Sequence, residues 1–374
     1  TGDILENQLP PSPRAIVSTK NRLWIASAEN PRELWFSKII VAGEGPGFSR
    51  SLVLSLDDAN DEITALAALD DKVIVFTRKR TYYVSGDGPN DTGGGGSFLG
   101  PFRLPVDIGC ADQRSVVTYP EGVVYWDGSQ IVRLTRGLGL EAFGDPVLDI
   151  TDDAVSVIGK LDAFSSRAYF LVERDSAQPH HLFAVRDYKF GQWVTHTQWG
   201  ETDSGRAPVK TVAHHWHNGY HWVSTDTPNS TIGRTQFGPI AGYDTGTWFV
   251  STIETPWIHL AGVNGYQRAW DVTFTGRRLS EHKLTFDVLT DYDDATVRQS
   301  MVVDVEVGSP MLGLPVERIS LRLRSQTCSA VKFRIYDSFD GTTFEDPAGW
   351  DVAGITIGLG IKPGGARLPA RNRG

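Results

Sequence analysis

The residues whose types and spacing could do chemistry fall into a few groups, and each lacks a part that its chemistry needs. The run GDGPNDTGGGG, residues 86–96, has Gly88 and Gly93 at the spacing of a phosphate-cradling loop, but Gly94 and Gly95 stand where a lysine and a hydroxyl belong. Asp87, Asn90 and Asp91 offer three oxygens to a cation without the closing glutamate of a calcium loop. Gly, Asn and Asp are also what a connection uses where the backbone must take positive φ, so the run reads as an exposed loop between repeat units. In AHHWHNGYHW, His215 and His217 alternate onto one face of a strand, with His221 across the Asn218-Gly219 turn and His214 on the opposite face. Imidazoles on adjacent strands can hold zinc, which makes His215, His217 and His221 candidate ligands, but the spacing fixes no further ligand. Surface histidine is the competing reading.

Two more groups fall short. Asp291, Asp293 and Asp294 in DYDDATVRQS are followed by Ala295 where a calcium loop needs its next oxygen, so the stretch reads as a solvated hairpin turn. Cys110, in DIGCADQR, has no activating neighbour in sequence. Neither a G-x-S-x-G elbow nor an H-E-x-x-H pair occurs, and no catalytic residue or cofactor is assigned. The chain is read as non-enzymatic.

The totals narrow the class. The chain has 374 residues, a formal charge of −9 and 40% hydrophobic residues, enough for a core in two domains or one large β domain. Thirty-nine Gly and 20 Pro imply many turns. No run approaches the ~20 apolar residues that span a bilayer, which reads as a soluble protein. An acidic balance argues against a dedicated nucleic-acid binder. Two distant cysteines, Cys110 and Cys328, make no disulfide framework. No charged-then-apolar leader follows Thr1, which points to a longer or processed polypeptide.

The elements that must position these groups are strands. LWIAS from Leu23, VIVFT from Val73, VVYWD from Val123, AYFLV from Ala168 and YHWVS from Tyr220 start 50, 50, 45 and 52 residues apart, each after a polar turn. They are short, rich in Val, Ile, Tyr, Phe and Trp, and flanked by further strand-like segments such as ITALAAL at 63–69 and TYYVSG at 81–86. A strand repeat near 50 residues predicts a β-propeller-like domain over 15–245, of about five to six blades, after a lead-in over 1–14. A sixth unit is available from the first residues or from LVLSL at 52–56, and a Greek-key sandwich competes for this half.

From about residue 246 the alternation becomes stricter. Leu284, Phe286 and Val288 share one face, as do Val303, Val305 and Val307, then Ile319, Leu321 and Leu323, then Val331, Phe333 and Ile335. This predicts a β-sandwich or jelly roll over 246–364. Arg318, Arg322, Arg324, Lys332 and Arg334 are expected to point outward from two consecutive strands, with Asp304 and Glu306 on the strand before. They serve either as cross-strand ion pairs or as a contact face for a subunit or acidic partner. The tail over 365–374, with Arg367, Arg371 and Arg373, is expected to be flexible or laid on a partner. The aromatic residues could also make a carbohydrate platform, but in a propeller most would fill the core between blades.

Several of these words occur together in one family. DEITALAALDDKVIVFTRKRTYYVSGDGPNDTGGGGSF and DIGCADQRSVVTYPEGVVYWDG, with TPWIHLAGVNGYQRAWDVTFTG, CSAVKFRIYDS and GITIGLGIKPGGARLPA, resemble tail nozzle or hub proteins of short-tailed bacteriophages. The resemblance is clearest over 61–137 and 252–370. It implies a virion structural protein, made in the host cytoplasm, that assembles as a ring, usually a hexamer, below the portal and adaptor. Such a ring conducts DNA during ejection and mounts fibres or spikes. It implies no cofactor and no catalytic residue. An acidic conduit wall would let DNA slide, whereas a basic one would hold the phosphates. A carbohydrate-binding or carbohydrate-cleaving propeller and a general interaction scaffold are the other classes the sequence allows.

Overall fold

The computed structural model describes residues 4–57, 61–174, 181–197, 211–217, 220–225, 232–235, 243–244, 247–248, 252–259, 266–278, 283–303, 317–323, 328–338 and 350–362. It divides into two compact units, Thr1–Thr235 and Gln236–Gly374.

In the first unit each sequence repeat folds into one antiparallel sheet whose strands follow chain order. The first sheet is Pro13–Thr19, Arg22–Ser27, Glu33–Phe36 and Val53–Ser55. The second is Ile63–Leu69, Lys72–Thr77, Thr81–Ser85 and Leu99–Arg103, and the third is Val117–Tyr119, Gly122–Trp126, Ile131–Thr135 and Leu140–Ala142. The fourth is Ala154–Asp162, Arg167–Arg174, His181–Asp187 and Gln192–Thr197. A fifth has three strands among the described residues, Thr211–His217, Tyr220–Thr225 and Ile232–Thr235. The first strands of successive sheets lie side by side, so the sheets follow one another as propeller-like blades. The up-and-down order rules out the Greek key. LVLSL supplies the fourth strand of the first sheet rather than a sixth unit.

The second strand of each sheet explains the apolar runs. Every residue of Gly122–Trp126 is buried, because both faces meet neighbouring sheets. Val124 and Trp126 face the fourth sheet, while Val123 and Tyr125 face the second. Aromatic rings close these seams: Trp24 and Phe36 of the first sheet meet Phe98 of the second at 4.7 and 4.9 Å, and Phe76 meets Tyr125 at 4.5 Å. Each such pair adds about 0.5–1.5 kcal/mol beyond its burial. Turn residues between first and second strands adopt positive φ, which Asn21 at +53° and Asp70 at +50° accept readily, with Lys20 beside Asn21 at +55°.

The second unit is a β-sandwich. One sheet runs in the order Thr252–Glu254, Val331–Ser338, Lys283–Thr290, Gln299–Val303; the other runs Glu317–Arg322, Tyr266–Arg278, Trp350–Lys362. Leu284, Phe286, Val288, Val331, Phe333, Ile335 and Leu323 are buried, as their alternation requires. Phe274 and Phe286, one from each sheet, meet edge to face at 5.6 Å. Val303 and Leu321 are half-buried, while Val305, Val307 and the side chain of Ile319 lie outside the described residues.

Candidate functional site

Residues 86–96 join the third and fourth strands of the second sheet, not the second sheet to the third as the sequence suggested. The reason is that Leu99–Arg103, short and half-exposed, gives little strand signal. Inside the loop, the Asn90 Oδ1 accepts from the Thr92 N–H at 3.1 Å, the Thr92 hydroxyl at 2.7 Å and the Gly94 N–H at 3.1 Å. Gly88 holds φ at +73°, and a Cβ there would overlap the Phe98 ring.

Asp91 makes the loop a docking bed. Its carbonyl accepts from the Leu5 N–H at 2.9 Å, and its Oδ1 accepts from the Ile39 N–H at 2.9 Å. The lead-in and the segment after the third strand of the first sheet therefore meet at one residue. Lys38 Nζ ties the lead-in further, donating to Asn7 Oδ1 at 2.7 Å and to the Leu5 carbonyl. Beside it Arg22, 1% exposed, donates to the Ser37 carbonyl at 2.6 Å and to the Pro89 carbonyl. Its guanidinium lies 5.6 and 5.7 Å from the Phe36 and Phe98 rings, and burial lowers its pKa. Lys20 Nζ donates to the Gly86 carbonyl at 2.6 Å. Around this bed, Ile4, Leu9, Ile39, Ile40 and Val41 are exposed, with Leu9 at 93%.

Another polar group gathers where the first strands begin. Arg14 sits at a β-bulge and forks onto Glu62 at 2.6 and 3.0 Å, with Arg78 at 3.6 Å from the same carboxylate. The Arg14 fork holds the Glu62 carboxyl below its usual range. Asp61 accepts from the Thr77 hydroxyl at 2.6 Å and from the Arg78 and Lys79 N–H groups at 3.1 and 3.3 Å. Arg78, Lys79, Arg80, Asp107, Asp127 and Ser129 line a recess of about 510 Å³. Asp107 is committed to Arg80 at 3.6 Å and to Arg103. Asp127 accepts from the Ser129 and Gln130 N–H groups, both at 2.8 Å.

The histidine stretch separates by register. His215 pairs with Trp222 and His217 with Tyr220, whereas His221 pairs with Trp216, one position out of step with the other two. His215 is exposed; the side chains of His217 and His221 lie outside the described residues. His214, which the sequence set aside, is buried against Phe183 at 5.2 Å, its Nε2 2.9 Å from the Ile158 carbonyl. Burial pushes its pKa down to about 4. Cys110 is buried as well, and burial pushes its thiol up to about 12, far from a nucleophile's range. Cys328 is a buried thiol.

The basic residues of the sandwich do not form one face. Arg318 and Arg322 lie on Glu317–Arg322 and Lys332 and Arg334 on Val331–Ser338, in different sheets, because Glu317–Arg322 pairs with Tyr266–Arg278 instead of its sequence neighbour. Arg322 is exposed and opposite Asp271. Lys332 is bound by Glu254 and Asp294, both at 2.9 Å, and Arg334 pairs with Glu254. Burial opposes the charge on Lys332, but those carboxylates outweigh it and raise its pKa. The ion-pair reading holds for these two, with partners other than those expected: Asp304 and Glu306 lie outside the described residues. So do Arg324, Arg367, Arg371, Arg373 and the side chain of Arg318.

No family model and no curated protein matches the chain. Among solved structures it is similar to an exo-β-1,3-galactanase from Phanerochaete chrysosporium with β-1,3-galactotriose, at 9% identity and a TM-score of 0.32, over 95% of this chain and 98% of that one. It is also similar to the fission yeast SREBP–SCAP binding domains, at 12% identity and a TM-score of 0.35, over 91% and 92%. The WD40 domain of SCAP from fission yeast follows at 8% identity and 0.26, over 87% and 84%. At these scores none bears on what the chain does.

Proposed function

We propose that the chain is a self-assembling structural component of a bacteriophage tail, a nozzle or hub ring that conducts DNA and mounts fibres or spikes. Its place would be in the virion, next to portal and adaptor proteins. The reading starts from the sequence resemblance. The observation that carries its assembly part is the junction at Asp91, where the lead-in and the segment after Phe36 are fixed side by side with Ile4, Leu9, Ile39, Ile40 and Val41 exposed. Large apolar side chains held rigidly in water mark an association surface, and its occupant here is a second copy of the chain. The most distinctive words of the resemblance also have architectural uses. The glycine-rich loop docks the lead-in, and the RKR turn at 78–80 is tied to Glu62 and Asp61. Negative-stain imaging of the purified chain tests this. Rings with a central opening are expected, and they should disappear in Ile40→Asp, whose side chain is exposed in the single chain.

A further inference from the structure

The sandwich carries an aromatic and ionic group that neither the fold nor the ring reading uses. Trp257 follows the edge strand Thr252–Glu254, and Tyr292 lies in the turn after Lys283–Thr290; their rings are 5.2 Å apart and inclined at 46°. Tyr292 is 58% exposed with φ at +64°, a conformation a bulky side chain rarely takes. The turn is held in place from both sides. The Asp291 Oδ1 accepts from the Ser329 N–H and hydroxyl, both at 2.7 Å, and the Asp293 Oδ1 accepts from the Ala295 and Thr296 N–H groups at 3.0 and 3.1 Å. Lys332 Nζ lies 5.9 Å from the Trp257 ring and bridges Glu254 and Asp294.

We infer that this group is a binding site for a neutral sugar chain. The C–H face of a pyranose stacks on the face of an indole or phenol ring, and the exposed Tyr292 ring beside the half-buried Trp257 gains by being covered that way. Carboxylate acceptors beside an ammonium donor match vicinal hydroxyls, which donate and accept at once. Glu254, Asp291, Asp293 and Asp294 outnumber Lys332, Arg334 and Arg298 around the group and disfavour an acidic sugar, so the ligand is uncharged. The buttressed turn sets Tyr292 before the ligand arrives, which lowers the ordering cost of binding.

Affinity electrophoresis of the full chain in native gels containing soluble β-glucan, mannan or galactan tests this, with polygalacturonate as the acidic counterpart. At least one neutral polysaccharide should retard the chain, and Trp257→Ala should weaken the retardation at least tenfold. Tyr292→Gly serves as the second variant: glycine accepts φ at +64° without strain, so its melting temperature should hold or rise while retardation falls at least threefold. The proposal is overturned if no neutral polysaccharide retards the wild type, if polygalacturonate alone does, or if both variants are retarded like the wild type.

Discussion

The Gln113 side chain binds the main chain of Leu66 in both directions: the Leu66 N–H donates to Oε1 at 2.7 Å, and Nε2 donates to the Leu66 carbonyl at 3.2 Å. An amide side chain from the entry of the third sheet thus completes the first strand of the second, as a neighbouring strand would. Removing it leaves both Leu66 groups unpaired between two sheets. Gln113→Ala should cost about 1–3 kcal/mol by urea denaturation, and Gln113→Glu, which keeps only the acceptor, should cost less. Equal stability of all three proteins would contradict this role.

Arg22 is the corresponding pin at the glycine-rich loop. Its planar fork reaches the Ser37 and Pro89 carbonyls while lying on two aromatic rings, a geometry that a lysine ammonium cannot reproduce. Arg22→Lys should therefore lose about 1–3 kcal/mol. It should also expose the lead-in, so that limited proteolysis cuts before Pro13 faster than in the wild type.

Gly159, in the first strand of the fourth sheet, packs tightly against Val117 and Ser115 at the entry of the third. A Cβ there would lie 2.5 Å from Val117 Cγ2 and 2.7 Å from the Ser115 carbonyl oxygen. Gly159→Ala should destabilise by about 1–3 kcal/mol, the range for overpacking. A lowered melting temperature checks it, whereas a gain would mean that the seam has room.

His214 makes stability depend on pH. Its folded pKa, about 4, lies below the unfolded value near 6.5, so the unfolded chain binds the extra proton between them. Its contribution is intact above about pH 6.5 and is lost as pH falls toward 4, roughly 1–3 kcal/mol in all. His214→Gln keeps a donor for the Ile158 carbonyl without titrating. The stability difference between wild type and variant should shift in favour of the variant from pH 7.5 to pH 4.5, measured by urea denaturation at both.

Much of the fold was legible because the second strands of the first four sheets are buried on both faces and read as unbroken apolar runs. The fourth strands were less so: Val53–Ser55, short and half-buried, was given to a sixth unit, and Leu140–Ala142, short and largely exposed, left no signal, since burial is what writes a strand into sequence. Missing Leu99–Arg103 misplaced the 86–96 loop, though its reading as a connection fits the bonds that Asn90 makes within it and that Asp91 makes to Leu5 and Ile39. Strand order was also hidden, since nothing in the alternation of Glu317–Arg322 says which sheet it joins. Of the site residues, Arg22, Gln113 and Tyr292 escaped notice, and Asp91 was weighed only as a cation ligand. Their roles depend on long-range partners, and only the turn residues around Tyr292 left a local signal.

Self-assembly through the Asp91 junction is the central claim, and mass photometry of the purified chain tests it most directly. A closed oligomer of several chains, six by the resemblance, is expected for the wild type, with single chains for Ile40→Asp. A wild type that stays at the mass of one chain at every concentration would contradict the account.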